Sequence, residues 1–447
     1  AEDILTKFGQ KLIPVVEGGK VVGVLTRIDI LHRMKEDLGE LKATRRRVRL
    51  PASLRDVFRE VGEIASSMGC KAYVVGGVVR DILLGKDVWD LDFVVEGDAL
   101  EVAREFAKRK GVETHPFPEF GTAHLRTGSL KLEFSTARRE TYHRPGAYPK
   151  VERASIKEDL VRRDFTINAM AISLSPEDFG TLLDFFGGLR DLKDRIVRIL
   201  HPVSFIEDPV RVLRALRLAG RLGFRLSRST ENLLKRAVSL GLLGEAPRGR
   251  ILGELKLALR EDSIIEILRL YRRYGVLEHV IKGFLWTQNL EDRLLRLKKV
   301  IDWYSLEFPK EKLDFGWVFL MLLLEGLGFR TSAEFLKEVS APAWVREGVK
   351  VLCERGGKIH GELKKANKPS RIYELLRGMH TSVLLILMSD PRITDKIRFY
   401  LEKLRFVKVP EEDVKKLIER GLEGRELGKE IEKLRASIMD SLIMEKS

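Results

Sequence analysis

Apolar and polar positions change their period twice along the 447 residues. In the opening run KLIPVVEGGKVVGVLTRIDILHRM, two apolar stretches flank the Gly18–Gly19 pair and give way to helical spacing. The pattern predicts strand, tight turn, strand, then a helix begun near Thr26 or Asp29. LKATRRRVRL follows and reads as a solvated basic linker. From about Leu54 to Phe186, helical spacing alternates with the β-branched runs KAYVVGG, LDFVVEG, AHLRTGSLKLEFSTA and FTINAMAISL. That alternation predicts helices around a small mixed sheet. Within it, the stretch from Arg139 to Asp159, with Pro145, Gly146 and Pro149, predicts a long loop. From Gly187 onward strand signals nearly vanish, and runs such as PVRVLRALRLAGRLGF keep an apolar stripe at helical spacing. The second half is therefore expected to be a helical array, with breaks near Gly283, Phe308–Pro309, Pro342 and Pro369.

Charge adds direction to this picture. Lys and Arg number 81 against 66 Asp and Glu, a formal +15, which points to a polyanionic partner, nucleic acid first and an anionic membrane surface second. A heat-adapted surface would explain the abundance of charge, but not its sign. Two cysteines far apart exclude a disulfide scaffold and a zinc site, and make a reducing cytoplasm the expected setting. The apolar runs WVFLMLLLEGLGF and SVLLILM are too short to span a bilayer, and no signal peptide is evident. The chain begins at Ala1 in mid-pattern, as a piece of something longer would.

The candidate chemistry lies in AYVVGGVVRDILLGKDVWDLDFVVEG. Gly76–Gly77 turns a strand into a helix, where backbone N–H groups approach an anion and Arg80 reaches a phosphate. Asp90 and Asp92 stand at i and i+2 of a strand, so both carboxylates leave one face. Such a pair repels unless a cation lies between, and Mg²⁺ suits it. Glu133, in another β-like run, is a candidate third carboxylate. Taken singly, each feature has a plainer reading: a tight turn, a solvent-facing strand edge, a charge on a sheet face. Downstream, EDPVR is expected to put Asp208 and Arg211 on one helix face, where a carboxylate and a guanidinium together match the edge of cytosine or adenine but not of uracil or guanine. An ordinary salt bridge is the plainer reading there too.

GGVVRD…DLDFVV resembles motif A of the DNA polymerase β nucleotidyltransferase superfamily, in the form found in class II tRNA nucleotidyltransferases and bacterial poly(A) polymerases. RRDFTINAMA, DFFGGLRDL and EDPVRVLRALRLA follow in the order of motifs B, C and D, so the resemblance covers roughly residues 55 to 260. It implies an α+β fold: a polymerase-β-like head followed by an all-helical neck, body and tail. The opening residues resemble the closing half of a CBS module, too little of one for nucleotide sensing to be expected. The expected divisions are 1–45 partial CBS module and basic linker, 46–186 head, 187–267 neck, 268–355 body and 356–447 tail.

The resemblance implies two-metal nucleotidyl transfer to an RNA 3′-OH, with Asp90, Asp92 and Glu133 catalytic, Asp90 and Asp92 holding Mg²⁺, and pyrophosphate released. Gly76, Gly77, Arg80, Arg163, Asp164 and Asn168 would bind the nucleotide, Asp208 and Arg211 would read its base, and Gly187–Gly188 would serve as a hinge. The motif A–B loop looks full length, unlike that of CC-adding specialists, and the basic-aromatic signature of bacterial poly(A) polymerases is missing. The expected activity is therefore addition of the terminal A, from ATP, to tRNA ending in CC. Complete CCA addition from CTP and ATP is the alternative, and poly(A) synthesis a remote one. Gly249, where many family members have Glu, is a departure in the neck. The helical half, with Arg355, Lys358, Lys364, Lys365, Lys368 and Arg371, would grip tRNA by its acceptor–TΨC arm. A monomer or weak oligomer in the cytoplasm, with no membrane partner, is expected.

Overall fold

The computed structural model describes residues 12–26, 42–141 and 150–442. β1 (Leu12–Glu17) and β2 (Lys20–Thr26) form an antiparallel hairpin closed by Gly18–Gly19, both at positive φ. This matches the expected strand, turn and strand; the expected helix start lies largely outside the described residues, and Asp29 wholly so.

The head is built on an eight-stranded sheet. It comprises β3 (Thr44–Arg47), β4 (Lys71–Val75), β5 (Asp90–Glu96), β6 (Thr114–Phe117), β7 (Thr122–Thr127), β8 (Leu130–Thr136), β11 (Met170–Ser173) and β12 (Thr181–Asp184). β9 (Arg138–Thr141) and β10 (Lys150–Arg153) pair separately. The strand order is β3-β12-β11-β4-β5-β8-β7-β6, with β5 and β8 parallel and their neighbours antiparallel. Helices α1 (Ala52–Ser67) and α3 (Ala99–Lys110) cover one face, where Phe58 and Phe106 pack on the stacked pair Phe93 and Phe134. α2 (Gly77–Leu83) continues from β4, and α4 (Ile156–Val161) roofs part of the opposite face. There Ile156 and Leu160 close a core with Tyr73, Val75, Val94, Ala171 and Leu183.

Two expectations are corrected here. Arg45–Arg47 is not a linker: it is the edge strand β3, registered against Thr181–Asp184. Its side chains are exposed, so pairing runs through the backbone and leaves no apolar alternation to read; charge on an edge strand is itself protective. The 45/46 boundary thus falls inside a strand. The arms of the expected loop from Arg139 to Asp159 are likewise structured, Lys150 to Arg153 pairing back on Thr141 to Arg138, while residues 142–149 lie outside the described residues.

Short elements follow: α5 (Gly188–Lys193), β13 (Ile196–Val197), α6 (Ser204–Glu207), α7 (Val210–Leu222), β14 (Arg225–Leu226), α8 (Arg228–Ser239) and α9 (Arg248–Leu259). The chain divides into two compact units, Ala1–Glu254 and Leu255–Ser447, so most of the expected neck folds with the head. In the second unit every described element is helical: α10 (Ile264–Arg273), α11 (Val276–Val280), α12 (Gln288–Glu307), α13 (Phe315–Glu325), α14 (Phe329–Glu338), α15 (Ala343–Lys365), α16 (Pro369–Leu376), α17 (Thr381–Leu387), α18 (Thr394–Glu402), α19 (Glu411–Glu419) and α20 (Gly424–Asp440). The four expected breaks fall between helices. The expected boundary at 355/356 does not, because α15 runs through it: the stripe Val345, Val349, Leu352, Ile359 and Leu363 is buried on both sides of Gly356–Gly357 and outweighs their cost of about 1 kcal/mol each. Among the described residues no helix is long and apolar enough to cross a membrane.

Candidate active site

β5 alternates as its sequence requires. Leu91, Phe93 and Val95 point into the α1–α3 core, and Asp90 and Asp92 leave the other face. The parallel register with β8 sets Asp92 opposite Glu133 and Asp90 opposite Lys131, whose Nζ lies 3.1 Å from Asp90 Oδ1. Glu133 also faces His124 of β7, 3.4 Å away. Burial, then the Glu133 carboxylate and Asp90, push the Asp92 carboxyl up to about 6, against the pull of Arg163 and His124.

On the other flank of β5, Gly76 sits at φ +74°, a conformation that favours glycine. A Cβ there would stand 2.8 Å from an Arg163 terminal nitrogen and 3.7 Å from Asp92 Oδ2, so the missing side chain is what lets guanidinium and carboxylate close over the turn. Arg163 is aimed by Asp159, whose fully buried carboxylate accepts from Arg163 at 3.0 Å and Arg162 at 2.7 Å. Burial alone would raise the Asp159 carboxyl, but Arg163 and Arg162 hold it below the usual range. Asp159 escaped the sequence reading, although DLVRR carries the signal: an acid three and four residues ahead of two arginines on a helical turn.

Arg80 is placed differently from expectation. Its buried guanidinium donates to both oxygens of Asp81, at 2.9 and 2.8 Å, and to Asn168 Oδ1 at 2.7 Å. Facing inward, it braces the turn, because a buried guanidinium needs paired acceptors and Asp81 and Asn168 supply them. Asn168 passes the connection on, donating to Asp164, which also receives Arg214 at 3.1 Å. Burial would raise Asp164 as well; Arg214 and Arg211 hold it low. Arg214 and Arg217 in turn meet Glu254, at 3.5 and 2.5 Å.

The expected base-reading pair is brought together, but not on one helix. Asp208 lies in the break before α7, in extended conformation, because Pro209 disfavours helical geometry in the residue before it. Arg211 Nε still comes within 3.9 Å of Asp208 Oδ2. Both are buried and held by protein groups: Arg250 donates to Asp208 at 2.6 Å, and Arg211 donates to Ser204, Glu207 and the Arg162 carbonyl. Arg250 and Glu254 thus keep neck contacts beside Gly249, at which a Cβ would meet open space. At Gly188 the demand is tight packing, since a Cβ would overlap the Thr166 carbonyl. Asp184 meanwhile accepts from the N–H groups of Phe186, Gly188 and Leu189.

Among the described residues no three Asp, Glu, His or Cys side chains form a ready-made metal cluster. The donor set still fits Mg²⁺, which is held by one or two carboxylates and completed by water and substrate phosphates more often than caged by protein alone. Burial raises the Asp92 carboxyl most, and the repulsion from Glu133 and Asp90 that adds to it is the part a cation would relieve.

A mixed sheet bearing two carboxylates at i, i+2 and a glycine turn against an arginine defines a nucleotidyltransferase head, and the family model described as the poly A polymerase head domain matches residues 72–198. A curated relative from Aquifex aeolicus (strain VF5), named A-adding tRNA nucleotidyltransferase, is 62% identical over 442 residues, 99% of this chain and 54% of its own length. The structure of a tRNA nucleotidyltransferase complexed with a primer tRNA and an incoming ATP analog is 61% identical, with TM-score 0.71, covering 78% of this chain and 100% of that one. A tRNA-processing enzyme solved with CTP is 58% identical, with TM-score 0.77 over 85% of this chain and 100% of that one. The chain belongs to the class II tRNA nucleotidyltransferase family. It spans about half the length of the curated relatives that match 90% or more of it.

Proposed function

We propose that this chain adds the terminal A to tRNA ending in CC, transferring AMP from ATP to the RNA 3′-OH with release of pyrophosphate. The observation that carries nucleotidyl transfer is the register that sets Asp92 opposite Glu133 while Arg163 closes on Gly76 across the strand. The choice of A rests on the A-adding relative with 62% identity.

Asp90 and Asp92 would hold Mg²⁺. Bound there, the metal would lower the pKa of the attacking hydroxyl and stabilise charge on the leaving pyrophosphate. Arg163, held by Asp159, neutralises phosphate charge beside the Gly76 turn; the low carboxyl of Asp159 keeps that arginine paired and aimed throughout the physiological range. The chain Arg80–Asn168–Asp164–Arg214 fixes the floor of the nucleotide pocket, and positioning of this kind does most of the work in phosphoryl chemistry. Asp208 accepts from an exocyclic amine and Arg211 donates to the ring, with Arg250 leaving Asp208 as the base arrives. The second unit is read as the tRNA-holding part, and residues 12–26 as part of a CBS module.

Complete CCA addition is the second reading, favoured by the CTP-bound relative. The test supplies tRNA ending before CCA, after C and after CC, with each nucleoside triphosphate separately. Extension of only the CC-ended tRNA, by ATP, is the expected outcome; incorporation of CTP would select the second reading, and long A-tails on unstructured RNA would select poly(A) synthesis.

A further inference from the structure

Two flanks of β5 differ in what covers them. Toward β4 and β11 the face that carries Asp92 is roofed by α4 and closed by Arg163. Toward β8, β7 and β6 most side chains of the same face are exposed among the described residues, Thr122 excepted. Register names its residues: Lys131 and Glu133 of β8 pair with Arg126 and His124 of β7, and His124 pairs with His115 of β6, with Phe117 next along that face. The opposite side chains Leu132, Phe134, Ala123 and Leu125 are buried against α3, so these six are outward by alternation, and His115, Phe117, His124, Arg126, Lys131 and Glu133 are all exposed. The Phe117 and His124 rings lie 5.0 Å apart.

Resting on the nucleotidyl-transfer reading, we infer that this exposed face is the platform for the single-stranded 3′ end of the RNA primer, with Phe117, His124 and Arg126 holding the nucleotides immediately behind the reacting one. Displacement at a phosphorus is in line, so attacking and leaving oxygens lie on opposite sides of it. The arginine-closed glycine turn takes the leaving side at β4; the primer therefore arrives over β8. The face is suited to that cargo. Strands about 4.8 Å apart put β7 and β6 roughly 10 and 14 Å from the carboxylates, the reach of three or four bases stacked about 3.4 Å apart. Rings give sequence-tolerant stacking, and Arg126 supplies charge for phosphates, while Lys131 is paired with Asp90. Glu133 is the one acid among the six, and it sits beside Asp92, where cations rather than phosphates are wanted.

The test uses the full chain, a CC-ended tRNA and ATP. Phe117→Ala and Arg126→Gln, both at exposed positions, are each expected to raise KM for the tRNA about ten-fold or more, with KM for ATP and the melting temperature unchanged. A photoreactive nucleotide placed second from the primer 3′ end is expected to crosslink within residues 114–127. Unchanged primer KM, an equal rise in KM for ATP, or crosslinking elsewhere in the chain would overturn the inference. Should the wild type fail to extend any CC-ended tRNA, the functional reading falls on that result, and the crosslink still decides whether this face holds an RNA 3′ end.

Discussion

Asp92 is held at a cost to the folded chain. Its carboxylate is partly buried beside Glu133 and Asp90, and Arg163 and His124 offset only part of that cost. Asp92→Asn is therefore expected to abolish nucleotide addition, by about 10³-fold or more, while leaving the melting temperature in metal-free buffer unchanged or raised; activity and calorimetry on one preparation check both halves. Asp159 is the reverse case. Its carboxyl and that of Asp164 are held below their ordinary value, so the stability they contribute is present above the unfolded pKa near 3.8 and lost only as pH falls through the folded value. Thermal melts should be insensitive to these two groups from neutrality down to about pH 4 and should fall below it. Asp159→Asn should cost about 3 kcal/mol or more, since it strands two buried-side guanidinium contacts, and should raise KM for ATP through a misaimed Arg163. Of these residues, the Asp90–Asp92 pair was legible from spacing alone, because a strand's period of two is local. Arg80 was legible as a residue but not in its direction: whether a guanidinium faces a ligand or a carboxylate depends on Asn168, 88 positions away.

Among the elements, the turn from β4 into α2 is the most constrained. Gly76 combines positive φ with the close approach of Arg163, so Gly76→Ala has two reasons to fail: backbone strain of about 1–3 kcal/mol and displacement of the guanidinium. A drop in kcat/KM for ATP larger than the loss of stability would reflect the second; equal behaviour in a variant that keeps ATP affinity would count against it. The start of α5 is constrained by packing alone, with Gly188 pressed on the Thr166 carbonyl. Elements whose faces are half buried were readable from their alternation, as β5 and β8 were. β3 and β9 were not, because exposed arginines and short polar arms carry no apolar period, and their strand character comes only from a backbone partner elsewhere in the chain.

Across the whole molecule, charge is the readable quantity. A formal +15 predicts tRNA binding that weakens steeply with salt. On the surface, the basic run around α15 divides into two kinds of residue: Arg371 and Lys358 are shared with Glu362, while Lys364, Lys365 and Lys368 are exposed. Replacing these three lysines by Gln is expected to lessen the slope of log affinity against log salt by about 2 to 3, with little change in KM for ATP. An unchanged slope, measured by titration of tRNA at several salt concentrations, would move the phosphate contacts elsewhere.

What the linear chain determined by itself was local and periodic: the alternation that puts Asp90 and Asp92 on one face, the glycine pair that ends β4, the helical stripes of the second half, and the order of motifs that marks the family. What only the tertiary structure decided was which distant groups meet. The parallel register of β5 with β8 chose Glu133 as the neighbour of Asp92. The fold around α4 made Asp159 the holder of Arg163, and the turn of the neck gave Asp208 to Arg250. A carboxylate's spacing along the backbone follows from strand geometry, but its partner is selected by packing and desolvation over long sequence separations, and those energies are not written in any short stretch of residues.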